Sequence, residues 1–528
     1  MHRHTFFTAL LIFSIIRISP SLSAQKAPVP TPAEDVQPLR IVTRNVLLDV
    51  VVTDSKGNVV NDLKQNEFLV YEDKQPQIIL SFEAPSTHFL PPELKPTDIQ
   101  SMSDVQKKLP KAPITILVLD ELNTHFEDMT YARSTLEKYL KSQPATMPQP
   151  TSLLVAANRS FNQIHDYTLD RDSLLKAVAD HKAGLPFKMM NNGHGGSAAI
   201  DSLASTLTVM QQIARATTGH PGRKNLIWVG RGFMPIDLSN EADTTETAIR
   251  DAVQQTVNRL RDARITLTSI DPTINSSAVE EVITPDGLEV EMDASGGDPF
   301  GGDINFMNLA PETGGRSVYG RNDVGVQIGN SIHEGGNYYT LSYSPTDKTD
   351  IEGKYRAITI LVTRPGLIAT TRNGYYTGAD PGTKDEPQEH PAENPKTLAQ
   401  DLYNAVQTSV VYTGLNVKAA RVKDTSYSIS VDSKMLNWKE QANGDRSAEV
   451  TIIVAAFNKQ NKLVAKVAQE MTAGIPASKA ADAQSKDLRF LISAQTPANA
   501  TRVRVVVRDA ANGKVGTFDL NPVTGQPL

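Results

Sequence analysis

Ile116-Leu117-Val118-Leu119-Asp120-Glu121-Leu122-Asn123-Thr124 joins an unbroken apolar run to an acidic, hydroxyl-bearing loop. From Ile114 to Leu119 the apolar positions do not alternate, the pattern of a short strand buried on both faces, and such strands belong to parallel sheets covered by helices. The segments downstream keep that rhythm. Asp128–Lys141 is spaced as a helix, Ser152–Ala157 as a strand, and Phe161–Asp166 as an added antiparallel strand. Asp172–His181, Ala198–Thr217 and Asp243–Arg264 read as helices, Asn225–Val229 and Ile265–Ile270 as strands, and Leu309–Tyr319 with Asp323–Ile332 completes the unit. The expectation is an α/β fold with a doubly wound, mainly parallel six-stranded sheet over residues 113–337, its ligand site beyond the carboxyl ends of the strands.

Outside this unit the apolar period falls to two, the period of half-buried strands. Val46, Leu48, Val50 and Val52 alternate up to the turn Asp54-Ser55-Lys56-Gly57, and Phe68–Tyr71 and Ile78–Leu80 continue the pattern. About 45 residues of strand are too few to close two layers alone. Strands return at Tyr338–Tyr343, Tyr355–Val362 and Leu367–Arg372, so residues 40–84 and 338–377 are expected to pair as one β-sandwich interrupted by the α/β unit. The Pro-bearing 85–112 and the Pro-, Glu- and Asp-rich 378–397 read as linkers, and 398–521 as a separate C-terminal β-sandwich.

The chain has 528 residues, which at roughly 100–200 per domain predicts about three domains. It has no cysteine, which excludes disulfides, thiolate metal sites and cysteine nucleophiles, and its net charge of −6 gives no electrostatic footprint for nucleic acid. Residues 1–24 read as a cleaved export signal: basic His2-Arg3-His4, a mostly apolar run of eleven residues from Phe6 to Ile16, then small residues at Ser19, Ser21, Ser23 and Ala24. A membrane span needs about 20 apolar residues, so none is expected in the mature chain, which begins with a Pro-rich spacer over 25–39.

Local catalytic signatures fail on their context. Gly219-His220-Pro221-Gly222-Arg223-Lys224 sits between a helix and a strand, the wrong order for a phosphate loop. Gly195-Gly196-Ser197-Ala198-Ala199 lacks the second glycine of a nucleophile elbow, and His333-Glu334 lacks a second histidine four residues on. Ser197 reads as a helix cap. Pro285–Asp303 reads as a surface loop whose Asp293, Asp298 and Asp303 match no calcium-loop spacing. Tyr338, Tyr339, Tyr343, Tyr375 and Tyr376 read either as a binding patch or as strand core.

Leu48–Asp54 with Glu67-Phe68, Val118-Leu119-Asp120, Pro221–Trp228, Glu312–Arg316, Tyr338–Pro345 and Gly374-Tyr375 follow one another over residues 46–377. In that order they resemble the von Willebrand factor A-related family, in its acidobacteria-type exported form. The resemblance implies a metal-ion-dependent adhesion site, Asp-x-Ser-x-Ser with a Thr and an Asp from two further loops. Asp120 matches the first Asp, Leu122 and Thr124 replace the two Ser, Ser197 aligns with the loop Thr, and Gly230-Arg231-Gly232 replaces the third loop. A guanidinium repels a divalent cation, so Arg231 is expected to pair with Asp120 in place of the metal.

These readings give an exported, periplasmic or extracellular, non-enzymatic protein-binding, adhesion or scaffold protein with a degenerate metal site. Metal ligands would be Asp120, Thr124 and Ser197. The contact surface would be Asp120, Glu121, Asn123, Thr124, Ser197, Arg231 and Phe233. No cofactor is expected beyond weakly bound Mg²⁺ or Ca²⁺, and the partners would be proteins of the cell envelope or extracellular space, not nucleic acid. Two alternatives stand beside it: divalent-metal-dependent ligand binding through Asp120, and an exported hydrolase built from a Ser, an acid and one of His125, His165, His181, His194 and His220.

Overall fold

Alternating burial along Val46–Asp54 (β1) marks a strand with one face on a core, and both strands that pair with it come from residues 339–370, far along the chain. In this computed structural model the described residues are 45–157, 160–182, 196–236, 238, 243–273, 300, 304–347, 354–377, 395–423, 425–441, 443–479 and 487–528. The segments expected to be an export signal and a spacer, His194, most of the expected linker at 378–397 and the loop acids Asp293, Asp298 and Asp303 lie outside them. After β1 come Phe68–Glu72 (β2), Gln75–Gln77 (β3) and Ile79–Glu83 (β4).

The segment expected to be a linker, 85–112, contains the helix Met102–Lys108 (α1), capped by Ser101, whose hydroxyl accepts from the Asp104 N–H. Ile99, Met102, Val105 and Leu109 bury their side chains in the α/β core, so this stretch packs rather than spans.

Ile114–Asp120 (β5) is buried at every position because both its faces are covered. The chain continues through Phe126–Ser142 (α2), Thr146–Ala157 (β6), Ser160–Asp170 (β7), Arg171–Asp180 (α3) and Gly196–Thr217 (α4). Lys224–Val229 (β8), Asp243–Asp262 (α5), Ile265–Ile270 (β9), Leu309–Glu312 (α6), Ser317–Val318 (β10) and Val324–Gly336 (α7) follow. The sheet has six strands in the order β10-β9-β8-β5-β6-β7, parallel except for β7. Alternate β5 side chains feed two cores. Leu117 and Leu119 meet apolar residues of α2, α3 and α7, whereas Ile116 and Val118 share a cluster with those of α4 and α5.

Tyr339–Tyr343 (β11), Tyr355–Val362 (β12), Leu367–Thr370 (β13) and Gly374–Tyr376 (β14) then return to the first strands. One sheet runs β13-β1-β11-β4 and the other β14-β12-β2-β3, enclosing a core that includes Leu48, Val50, Phe68, Leu341 and Ile360. Glu83 of β4 lies opposite Thr340 of β11, so the chain leaves the sandwich and re-enters it on neighbouring strands. Tyr338, Tyr339, Tyr343, Tyr375 and Tyr376 are all buried, which makes them core rather than a surface patch.

Charge and stacking lock this junction. Tyr338, just before β11, stacks on His88 at 4.2 Å, and the Arg223 guanidinium lies 5.0 Å from the same tyrosine ring. Arg264 donates to Asp49 of β1 at 2.6 Å and to the Pro221 carbonyl at 2.8 Å, although its φ of +53° is one that non-glycine residues avoid.

The C-terminal part begins with Pro395–Gln407 (α8) and adds Val417–Lys423 (β15), Ser426–Val431 (β16), Lys439–Glu440 (β17), Arg446–Asn458 (β18), Leu463–Ile475 (β19), Leu488–Ser493 (β20), Ala500–Asp509 (β21) and Val515–Leu520 (β22). Sheet β15-β16-β20 faces sheet β17-β18-β21-β22, with β19 also on β18. This sandwich is not separate from the α/β unit. Ile453, Ala455, Phe457 and Val506 turn to the opposite side and share a core with Val406, Tyr412 and α4. Thr413 donates to Ala216 and accepts from the Gly219 N–H, and Arg215 pairs with Asp401.

Candidate functional site

A parallel sheet ends its central strands in loops on one side, and Asp120 is the last residue of β5 on that side. Its side chain is fully buried. Oδ1 accepts from the backbone N–H groups of Leu122 at 3.1 Å and Asn123 at 3.0 Å. Oδ2 accepts from the Trp228 indole at 3.0 Å and the Gly232 N–H at 3.1 Å, and the Asn123 amide reaches both oxygens at 3.4 and 3.3 Å. Burial pushes this carboxyl above its ordinary value, while the Trp228, Asn123 and Gly232 bonds pull the other way. Each of these partners is an N–H, so each addresses an oxygen lone pair.

The expected Arg231–Asp120 ion pair is replaced by a backbone arrangement. Arg231 contributes its N–H, donated to the Thr124 hydroxyl oxygen at 3.0 Å, and its guanidinium is not among the partners of Asp120. The two flanking glycines explain why. A Cβ at Gly230 would lie 2.3 Å from the Asp120 Cβ and 2.5 Å from the Thr124 hydroxyl oxygen, and one at Gly232 would strike the Phe306 ring at 2.2 Å. The loop is drawn so close that its peptide groups fill the space a side chain would need.

Asn123 extends the constellation to α4, donating to the Thr206 hydroxyl at 2.9 Å and accepting from Ser202 at 2.6 Å. Ser197 lies on the same helix, and its side chain is outside the described residues. Glu121 accepts from His181 Nε2 at 2.8 Å, both side chains being largely buried. His165 Nδ1 pairs with the Asp166 carbonyl and His220 Nε2 with that of Ala112, so neither ring addresses a hydroxyl there. Among the described residues no three His, Asp or Glu side chains cluster to hold a metal ion, and no helix is long and apolar enough to cross a membrane.

The expected contact surface needs correcting. Asp120, Thr124 and Phe233 are buried at 0, 1 and 2% exposure, because Phe233 packs edge-on against Phe306 at 5.4 Å and the other two are enclosed by the loops they tie. Glu121, Asn123 and Arg231 remain partly open. Sequence reading missed the apolar residues that face solvent just beyond these loop residues, Phe126 at the start of α2 at 54% and Met234 at 52%. The available signal was their position beside the loop residues, since each stands within three residues of Thr124 or Arg231.

No family model and no curated protein matches the chain. Among solved structures, it is similar to an aerotolerance-related membrane protein from Bacteroides fragilis NCTC 9343, at 14% identity over 42% of this chain and 100% of that one, with a TM-score of 0.24. It is also similar to proximal thread matrix protein 1 from the mussel byssus, at 8% identity over 44% and 49% of the two chains with a TM-score of 0.25. A third likeness is to the SpRpn10 VWA domain, at 12% identity over 31% and 90% with a TM-score of 0.16.

Proposed function

We propose that this chain is an exported, non-enzymatic protein-binding module that uses the carboxyl end of its six-stranded sheet without a metal ion. The observation that carries the reading is the set of partners around Asp120. A hard divalent cation needs free oxygen lone pairs, and here Leu122, Asn123, Trp228 and Gly232 already direct N–H groups at the carboxylate. The donor set does not fit a cation, and the negative charge serves to draw two loops together. Phe126, at the start of α2 just after Thr124, and Met234, three residues past Arg231, expose large apolar side chains of the kind that anchor protein contacts. The secretory reading of residues 1–24 supports a partner in the envelope or outside the cell.

Two measurements test this. Affinity capture from the envelope fraction of the native host should retain a defined protein on the wild type and lose it on Phe126→Asp/Met234→Asp and on Arg231→Asp; identical capture by all three overturns the surface. Calorimetric titration with Mg²⁺, Mn²⁺ or Ca²⁺ should give no saturable heat in the micromolar range. Micromolar binding abolished by Thr124→Ala overturns the metal-free reading.

A further inference from the structure

A strand at the edge of a sheet leaves a row of backbone N–H and C=O groups facing outward. Strand β19 is thirteen residues long, about 43 Å at ~3.3 Å per residue. It pairs antiparallel with β18 from Leu463 to Ile475, and among the described residues no strand pairs with its other edge. Such edges are commonly shortened or broken with proline. Neither device is present in Leu463-Val-Ala-Lys-Val-Ala-Gln-Glu-Met-Thr-Ala-Gly-Ile475.

The side chains fit one occupant. Ala465, Val467 and Met471 point to the C-terminal core yet are only partly buried, so the core is open along this edge. On the other face Lys466 and Glu470 are exposed. They stand at equal distances on either side of Ala468. A second copy of β19, laid antiparallel about a two-fold axis at Ala468, would place Lys466 opposite Glu470 of the copy, and Glu470 opposite its Lys466. The same register sets Ala465 opposite Met471 and Val467 opposite the exposed Gln469, so half-buried apolar residues meet at the two ends of the pairing.

We propose that the protein forms a two-fold dimer through β19, joining the two C-terminal sheets edge to edge in this register. A two-fold interface repeats each contact, so both charge pairs form or fail together. The surface lies in the C-terminal sandwich and is independent of the carboxyl-end loops.

Sedimentation equilibrium on the full chain reads the outcome, with thermal unfolding to show that each variant is folded. The wild type should be dimeric. Lys466→Glu and, independently, Glu470→Lys place like charges opposite each other twice, and each should weaken the dimer by about tenfold or more. The double exchange Lys466→Glu/Glu470→Lys restores opposite charges and should return the dissociation constant to within about threefold of the wild type. A wild type that stays monomeric at high concentration overturns the proposal. So does a dimer indifferent to both single changes, which would place the contact elsewhere, or one that the double exchange fails to rescue, which would exclude this register.

Discussion

A carboxylate surrounded by N–H donors is sensitive to the smallest change in its own chemistry. Asp120→Asn keeps shape and volume but turns one oxygen into an NH₂ that must face either Leu122 and Asn123 or Trp228 and Gly232. Two buried donors then lose their acceptor, a cost of about 3 kcal/mol in urea unfolding. Trp228→Phe keeps the ring beside Phe306 and removes one donor from a carboxylate that retains others, costing about 1 kcal/mol. If Asp120→Asn is no worse than Trp228→Phe, the donors are not what holds these loops. The position of Asp120, at the end of an apolar run, was readable in the chain, but the filling of its lone pairs was not. Its indole partner is 108 positions away, and the loop that sequence reading valued for the charge of Arg231 acts through peptide N–H groups made available by Gly230 and Gly232.

At the scale of elements, the turn from α5 into β9 sets a backbone preference against a side-chain requirement. Arg264 holds φ at +53°, where a residue with a Cβ is disfavoured by about 1 kcal/mol relative to glycine. What keeps arginine there is its reach, since one guanidinium ties β1 through Asp49 and the loop before β8 through Pro221. Arg264→Gly should therefore destabilise despite the relaxed backbone, by about 1–2 kcal/mol in urea unfolding, and Arg264→Ala by about 1 kcal/mol more. A glycine variant as stable as the wild type would mean that the guanidinium bonds contribute nothing. The same contrast explains what was legible among the elements. The run Ile114–Leu119 and the helix-strand alternation after it announce the six-stranded, mainly parallel sheet, because burial on both faces writes itself into consecutive residues. α1 escaped notice because seven residues amid prolines carry too short a pattern, and the docking of β18 on the α/β core escaped because a strand buried on both faces reads the same wherever its second cover comes from.

For the whole molecule, the consequence of an α/β unit held between neighbouring sandwich strands is that ionisable groups are enclosed where the two meet. Burial pulls His220 from its ordinary 6.5 down to about 4 and also lowers His88, while Lys224 is drawn from 10.5 to about 7. Burial pushes Asp49 up, but the Arg264 and Arg223 charges and hydrogen bonds from Arg264 and Thr340 outweigh it and leave this carboxyl below its ordinary 3.8. The sign is the same for all of them. Between pH 7 and 10.5 the unfolded chain holds a proton on Lys224 that the folded chain does not, so stability rises with pH across that window. Between 6.5 and about 4 the unfolded chain protonates His220 while the folded chain keeps it neutral, so acid removes stability there, by roughly 3 kcal/mol once pH 4 is reached. Asp49 adds to the loss below about pH 4, as its carboxylate is forced to protonate. In urea titrations the unfolding free energy should rise with pH from 7 to 9 through Lys224, and from 4 to 6.5 through His220 against the opposite pull of the raised Asp120 carboxyl. His220→Gln, which keeps an amide N–H to offer the Ala112 carbonyl, should flatten the segment from 6.5 to 4 and leave the segment above pH 7 in place. An unchanged acid slope in that variant would move the acid sensitivity away from His220, and a profile that peaks near neutrality would show Lys224 charged in the folded protein.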